Sequence, residues 1–310
     1  MFASKLRSAA QGGQIRVIKQ LLLKKGDSVN IYIEGSPLLS WAASSGKKEA
    51  VKLLIEKGAD VNLIDENGCT ALHEAAINGH VEVVNFLADK INVNTKNKDG
   101  FAPLHMAAQS GKQEVVEALL NKGAEINLAG TGGHTPLYVA SQNGSEEIVK
   151  LLIRKGADVD AKTHDGFNPL LIASKNGHIG AVRSLVNYGK ANINVDCPYG
   201  SPVSIAIKHD NAKVVDFLLD NGAGVKCEGT SCIISYKDKN GKRYLRTLED
   251  RVIQGPCGIA VNPDENLTHA LANMNMHPMN EAQEVPEQQP STSYSVNSVD
   301  QVDSKSLFKN

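Results

Sequence analysis

Nine histidines, five cysteines and several adjacent carboxylates are the side chains here with chemistry to offer. His73 and His105 invite a general acid–base reading, because imidazole titrates nearest neutral pH, but no nucleophile–base pairing is legible around either. Cys227 and Cys232 with Cys257, His269 and His277 would suit zinc by ligand type, yet their spacing follows no Cys–His pattern of a tetrahedral site. Gly130-Thr131-Gly132-Gly133 is rich in glycine but lacks the strand, helix and lysine that a phosphate-binding loop requires, so it reads as a turn tip. Glu146 and Glu147 fall where a helix should start, and carboxylates favour the positive end of a helix dipole. These residues point to no catalysis, no cofactor, no metal and no small-molecule substrate.

Bulk properties narrow the classes further. With 33 basic and 34 acidic side chains the formal net charge is −1, so no global field draws the chain onto nucleic acid or an anionic membrane, and a nucleic-acid partner is not expected. Five cysteines scattered at 69, 197, 227, 232 and 257 suit reduced thiols in a cytosolic setting better than a disulfide framework. The opening MFASKLRSAAQGG has no apolar run of the kind a signal peptide carries, and no stretch approaches the roughly 18 apolar residues of a membrane span. The glycosylation triplets at 143–145 and 266–268 therefore read as chance. A soluble, cytoplasmic, monomeric protein is expected.

The elements that position the side chains announce themselves by period. Glycine recurs at 13, 46, 79, 111, 144 and 177, in steps of 33, 33, 32, 33 and 33, and a second ladder runs through Gly26, Gly58, Gly123, Gly156, Gly189 and Gly222. A fixed period of this length means stacked units, each burying its apolar face on its neighbours. In TPLYVASQNGSEEIVKLLIRKGADVDAKTHDG (135–166), Thr135 suits an N-cap and Pro136 the first helical position. Gly144 permits the positive φ that ends a helix. Ile148, Leu151 and Leu152 form one apolar stripe of a second helix, Arg154 and Lys155 suit its negative end, and Gly156 closes it before a projecting Asp-Gly turn.

SPLLSWA (36–42), TALHEAA (70–76), APLHMAA (102–108), TPLYVAS (135–141), NPLLIAS (168–174) and SPVSIAI (201–207), with second helices such as VKLLIEKGADVN and VEALLNKGAEIN, resemble the ankyrin repeat. The resemblance implies an all-α solenoid of helix–turn–helix units with projecting β-hairpin loops. It covers about three quarters of the chain, in units near 1–33, 34–67, 68–99, 100–132, 133–165, 166–199 and 200–230. The first, without a hairpin before it, acts as an N-terminal cap. It also implies that His73 and His105 tie neighbouring units together by hydrogen bonds, with His80 and His178 structural at second-helix starts. In-phase Leu38, Leu72, Leu104, Leu137 and Leu170 should form one elongated core. Three departures are local: Trp41 takes an alanine slot, so its interface must open or repack; the third unit lacks its second glycine, so its helix should end differently; and Asp210 replaces a turn glycine, where fraying is expected.

Function follows as an expectation: a noncatalytic scaffold that binds a protein partner through its concave face and hairpin tips. Carried over by position, the tips are Glu66 and Asn67, Lys98 and Asp99, Thr131, His164 and Asp165, and Tyr199 beside Pro198. The first-helix ends are Ile77 and Asn78, Gln109 and Ser110, Gln142 and Asn143, and Lys175 and Asn176. The row after each hairpin glycine is Cys69, Phe101, His134 and Phe167, at positions expected to be exposed; its rings serve either as binding anchors or as packing between hairpins. A secreted effector of an intracellular microbe, acting in the host cytosol, shares this architecture and stays open. So does a small enzymatic or nucleic-acid-binding unit after the repeats. There, within 231–277, ISYKDKNGKRYLRTL alternates about Asn-Gly and predicts a hairpin over 233–248, either covering the last repeat or presenting Lys237, Lys239, Lys242, Arg243 and Arg246 to an acidic partner. A short helix near NLTHALANM is expected, and the polar 278–310 should be disordered.

Overall fold

Three helix starts show how the repeat is written into the chain. In the computed structural model, the side-chain oxygens of Thr135, Asn168 and Ser201 accept the amides of Tyr138, Leu171 and Ser204, three residues on. A proline follows each cap at the first helical position, where its missing N–H leaves no carbonyl unsatisfied. The structure describes residues 2–25, 29–225, 231–237, 239–240, 243–249 and 283–284.

Among the described residues seven helix pairs follow in order. They are α1 (Phe2–Gln11) with α2 (Ile15–Lys25), α3 (Leu38–Ser44) with α4 (Lys48–Glu56), and α5 (Ala71–Asn78) with α6 (Val81–Ala88). Next come α7 (Pro103–Gln109) with α8 (Gln113–Asn121), α9 (Pro136–Gln142) with α10 (Glu146–Arg154), α11 (Pro169–Asn176) with α12 (Ile179–Asn187), and α13 (Pro202–Lys208) with α14 (Ala212–Asp220). Odd-numbered helices pack in one row and even-numbered helices in another, each against its equivalent in the units before and after. Leu38, Leu72, Leu104, Leu137 and Leu170 are buried in one continuous core. Ala75, Ala76, Ala107 and Ala108, with no exposed surface, let the first helices approach closely.

Turn glycines serve two purposes. Gly144 has φ +70°, and a Cβ built on it would stand 2.5 Å from Nδ1 of His178, the residue that opens the second helix of the next unit. Gly46 stands in the same relation to His80. Gly111 has the same φ but open space around it. Gly144→Ala is therefore expected to cost more than Gly111→Ala, the common part being about 1 kcal/mol of backbone strain and the excess the displacement of His178 from the Gln142 carbonyl it holds at 2.9 Å. Urea midpoints of the two variants measure the difference, and equal losses would leave φ as the only constraint.

The local departures resolve individually. Trp41 is half-buried, donates Nε1–H to the Ile33 carbonyl at 3.0 Å and lies under the Arg7 guanidinium, so the interface repacks without opening. Helix α6 ends through Asp89 in right-handed geometry, with Lys90 and Ile91 amides both on the Leu87 carbonyl. Other second helices close instead through Gly58, Gly123, Gly156 and Gly222 at φ +87° to +90°. The fraying expected at Asp210 is not found. Asp210 takes φ +57°, Asn211 N–H closes α13 on the Ala206 carbonyl at 2.9 Å, and the Asn211 amide clamps the Ser174 and Lys175 carbonyls of α11.

Strands are few. β1 (Tyr32–Ile33) and β2 (Ser36–Pro37) pair antiparallel across Glu34 and Gly35, both at positive φ, the type I′ geometry. β3 (Ser231–Lys237) pairs antiparallel with β4 (Arg243–Glu249), placing Tyr236 opposite Tyr244, as the alternation about Asn-Gly predicts. Tyr236 is 3% exposed within the core that includes α14, its hydroxyl bonds the Asp216 carboxylate, and its ring stacks on Tyr244 at 5.5 Å. The hairpin thus covers the last repeat. β5 (Gln283–Glu284) adds a third strand beside β4, a short departure from the expectation for 278–310. The rest of that segment, the helix near NLTHALANM, and Cys227, Cys257, His269 and His277 lie outside the described residues.

Candidate partner-binding face

Four successive hairpins are closed the same way. Asp65, Asn97, Gly130 and Thr163 donate their amides to the carbonyls of Cys69, Phe101, His134 and Phe167, four residues on. Side chains reinforce the turn: Asp65 Oδ1 accepts the amides of Asn67 and Cys69, Asn97 Oδ1 accepts that of Phe101, and Thr163 Oγ1 that of Phe167. Successive tips are then stitched together. Lys98 N–H donates to Asn67 O at 2.9 Å, Thr131 N–H to Asp99 O at 3.4 Å and His164 N–H to Gly132 O at 2.8 Å. The backbone so satisfied leaves the side chains of Glu66, Asn67, Lys98, Asp99, Thr131, His164 and Asp165 exposed in one row, with Tyr199 59% exposed beyond them.

First-helix ends form a second row. Ile77, Asn78, Gln142, Asn143 and Lys175 are exposed, while Gln109, Ser110 and Asn176 are half-buried. Three of these amides are already engaged: Asn78 Nδ2 donates to Glu74 O at 2.8 Å within its own helix, while Asn143 Nδ2 donates to Gln109 O at 3.0 Å and Asn176 Nδ2 to Gln142 O at 2.8 Å, joining neighbouring helix ends.

The row after the hairpin glycines departs from expectation. Cys69 and Phe167 are buried, and Phe101 and His134 only half-exposed. The next hairpin covers each of them. A Cβ on Gly130 would stand 2.5 Å from the Phe101 ring, so that glycine exists to admit the ring beneath the tip. Phe101 stacks between His105 and His134, His134 lies parallel to Tyr138 at 4.6 Å, and Phe167 contacts Tyr199 at 5.3 Å under the Lys175 ammonium. Tyr138, Phe167, Leu171, Ile172, Val195, Cys197 and Ile205 make a second small core along this side. Nothing marked Tyr138 for it beyond the slot that His73 and His105 fill in their own units.

Those two histidines do hold units together. Nδ1 of each accepts an amide at its own helix start, from Thr70 at 3.2 Å and from Ala102 at 3.1 Å. That fixes the proton on Nε2, which donates to Phe101 O at 3.0 Å and to His134 O at 3.1 Å, both in the next unit. Burial lowers both, His105 to about 4. His80 and His178 reach the carbonyls of Ser44 and Gln142 in the preceding unit.

Asp65, Cys69 and Glu74 offer ligand atoms within 4.8 Å of one another. Burial pushes the Cys69 thiol up to about 11, which keeps it protonated, and Asp65 is committed to two amides. This donor set is poor for a metal and serves the turn.

Profile comparison is decisive at this point: the family described as Ankyrin repeats (3 copies) matches residues 6–97, 90–163 and 159–228. The chain belongs to the ankyrin-repeat family. No curated protein shows significant sequence similarity to it. Ankyrin repeats generally act as protein–protein interaction modules, and the stitched tips and helix ends above are the parts of this ankyrin array that face outward in register. Among the described residues no helix is long and apolar enough to cross a membrane.

Proposed function

We propose that the protein is a noncatalytic cytoplasmic scaffold that recognises a protein partner along the concave side built by the hairpin tips and first helices. The observation that carries this reading is the hydrogen-bonded row of tips, whose backbone is satisfied internally while its side chains remain exposed. Such a row is rigid before binding, so little ordering entropy is lost on association. Phe101 and Phe167 support the row from below, and Tyr199 is the aromatic best placed to touch a partner.

Affinity capture with the full chain, followed by comparison of variants, tests this. Glu66→Ala/His164→Ala and Tyr199→Ala are expected to weaken captured partners about tenfold or more at unchanged melting temperature. Phe101→Ala/Phe167→Ala is expected to lower the melting temperature itself. Binding indifferent to the tip and Tyr199 variants would move the interface elsewhere.

A further inference from the structure

The charges on this side are not mixed evenly. At units two and three, Asp65, Glu66, Glu74 and Asp99 gather around the Cys69 turn, with Lys98 as the cation in the tip row; Asp65, Glu74 and Asp99 all act on the buried thiol. At units six and seven the first-helix ends are basic, with Asp196 as the exposed carboxylate in the hairpin between them. Lys175 ends α11 and Lys208 ends α13, both exposed, and the Asn211 clamp on the Lys175 carbonyl holds these two helix ends together. Tyr236, anchored on Asp216, brings the exposed turn residue Lys239 to the same place. His209 there is lowered by burial and by Lys175, Lys208 and Lys239, while Asp210 acts in the opposite sense. Between the two ends run the half-buried rings of Phe101 and His134 with Tyr138.

We infer that the face reads one extended, charge-segregated protein segment, acidic where it meets Lys175, Lys208 and Lys239 and basic where it meets Glu66, Glu74 and Asp99. This rests on the scaffold reading above and deepens it. Units two to six are separated by four steps of about 10 Å each, and an extended chain rises about 3.3 Å per residue, so the segment is about twelve residues long. Charge at the two ends sets direction and register, while the exposed tips between them, Thr131 and His164, and the part-exposed edges of Phe101 and His134 contribute sequence-tolerant contact. The sequence pattern marks Lys175 and Lys239 but not Lys208 and His209, because Asp210 displaces the turn glycine that marks where a first helix stops.

Three fluorescein-labelled dodecapeptides of identical composition test the inference on the full chain: a Lys block, an apolar centre and a Glu block; the same sequence reversed; and an isomer with alternating charges. One of the segregated peptides is expected to bind at least tenfold tighter than the alternating isomer by anisotropy. Lys175→Glu/Lys208→Glu and Glu66→Lys/Asp99→Lys should each remove most of that preference with unchanged melting curves, and the fourfold charge swap should transfer the preference to the reversed peptide. Equal binding of all three peptides overturns the polarity while leaving the face reading in place. Binding of none also overturns it, and the capture experiment then decides the face reading alone. Tighter binding of a twelve-nucleotide oligothymidylate, lost in Lys175→Glu/Lys208→Glu and indifferent to Glu66→Lys/Asp99→Lys, overturns it in favour of nucleic acid.

Discussion

Leu137→Ala removes about 2–5 kcal/mol of stability. The side chain has no exposed surface, and α9 is held between α7 and α11. Collapse into the vacated volume is blocked on both sides, because the flanking first helices already meet through alanines with no side chain left to give: Ala107 and Ala108 on α7, Ala173 on α11. The cost should therefore fall well above bare transfer of three methylenes. Leu104→Ala, between α5 and α9, behaves alike. Because contacts are between neighbours only, the loss is local first. Trp41, the single tryptophan, lies units away, so its fluorescence midpoint in urea should fall less than the circular dichroism midpoint of the whole array. Ile64→Ala, 45% exposed, serves as the control and should cost under about 0.5 kcal/mol. Losses below about 1 kcal/mol at both leucines would remove the stacked core.

The period was legible because each unit meets almost the same surroundings as the one before it, so one environment selects one residue type over and over. Caps, turn glycines and core leucines repeat for that reason. Where surroundings change, legibility fails. Asp210 looked like a defect by comparison with Gly144 and Gly177, but the reason for those glycines includes the His178 or Asn211 side chain of the following unit, whereas the turn at Asp210 is held by the Asn211 N–H on the Ala206 carbonyl and the Asn211 clamp on α11. Trp41 likewise looked too large for an alanine slot. Its escape route, an indole N–H on Ile33 O beside Arg7, depends on the first hairpin and the N-terminal cap, which no single repeat encodes.

The candidate face was legible by halves. Exposure of the tips follows from the hairpin alone, and Glu66, Lys98, Asp99 and His164 are exposed as the pattern implies. Exposure of the next row does not, because whether Phe101 or Phe167 sees solvent is decided by the hairpin one unit later. Gly130 was the available signal: a glycine at that point costs backbone entropy and returns room for the Phe101 ring.

Acid weakens the array through His73 and His105. Both are buried and neutral in the fold, with Nδ1 occupied as an acceptor and Nε2–H committed to the next unit. Burial lowers both from 6.5, His105 to about 4. Between those values the unfolded chain takes up protons that the folded chain refuses, so the contribution of these histidines to stability falls as pH drops below about 6.5 and is constant above it. At 1.36 kcal/mol per pH unit the interval for His105 alone amounts to about 3 kcal/mol. His134 and His209, also lowered chiefly by burial, act in the same direction, while Glu74, raised by burial, opposes them at the acid end. Urea midpoints from pH 7.5 to 4.5 should decline, and His73→Gln/His105→Gln, less stable at pH 7.5, should decline with a visibly shallower slope. Parallel slopes for the two proteins would mean that these imidazoles are not what couples the units to pH, and that the bonds from Nε2 to Phe101 and His134 survive protonation of the ring.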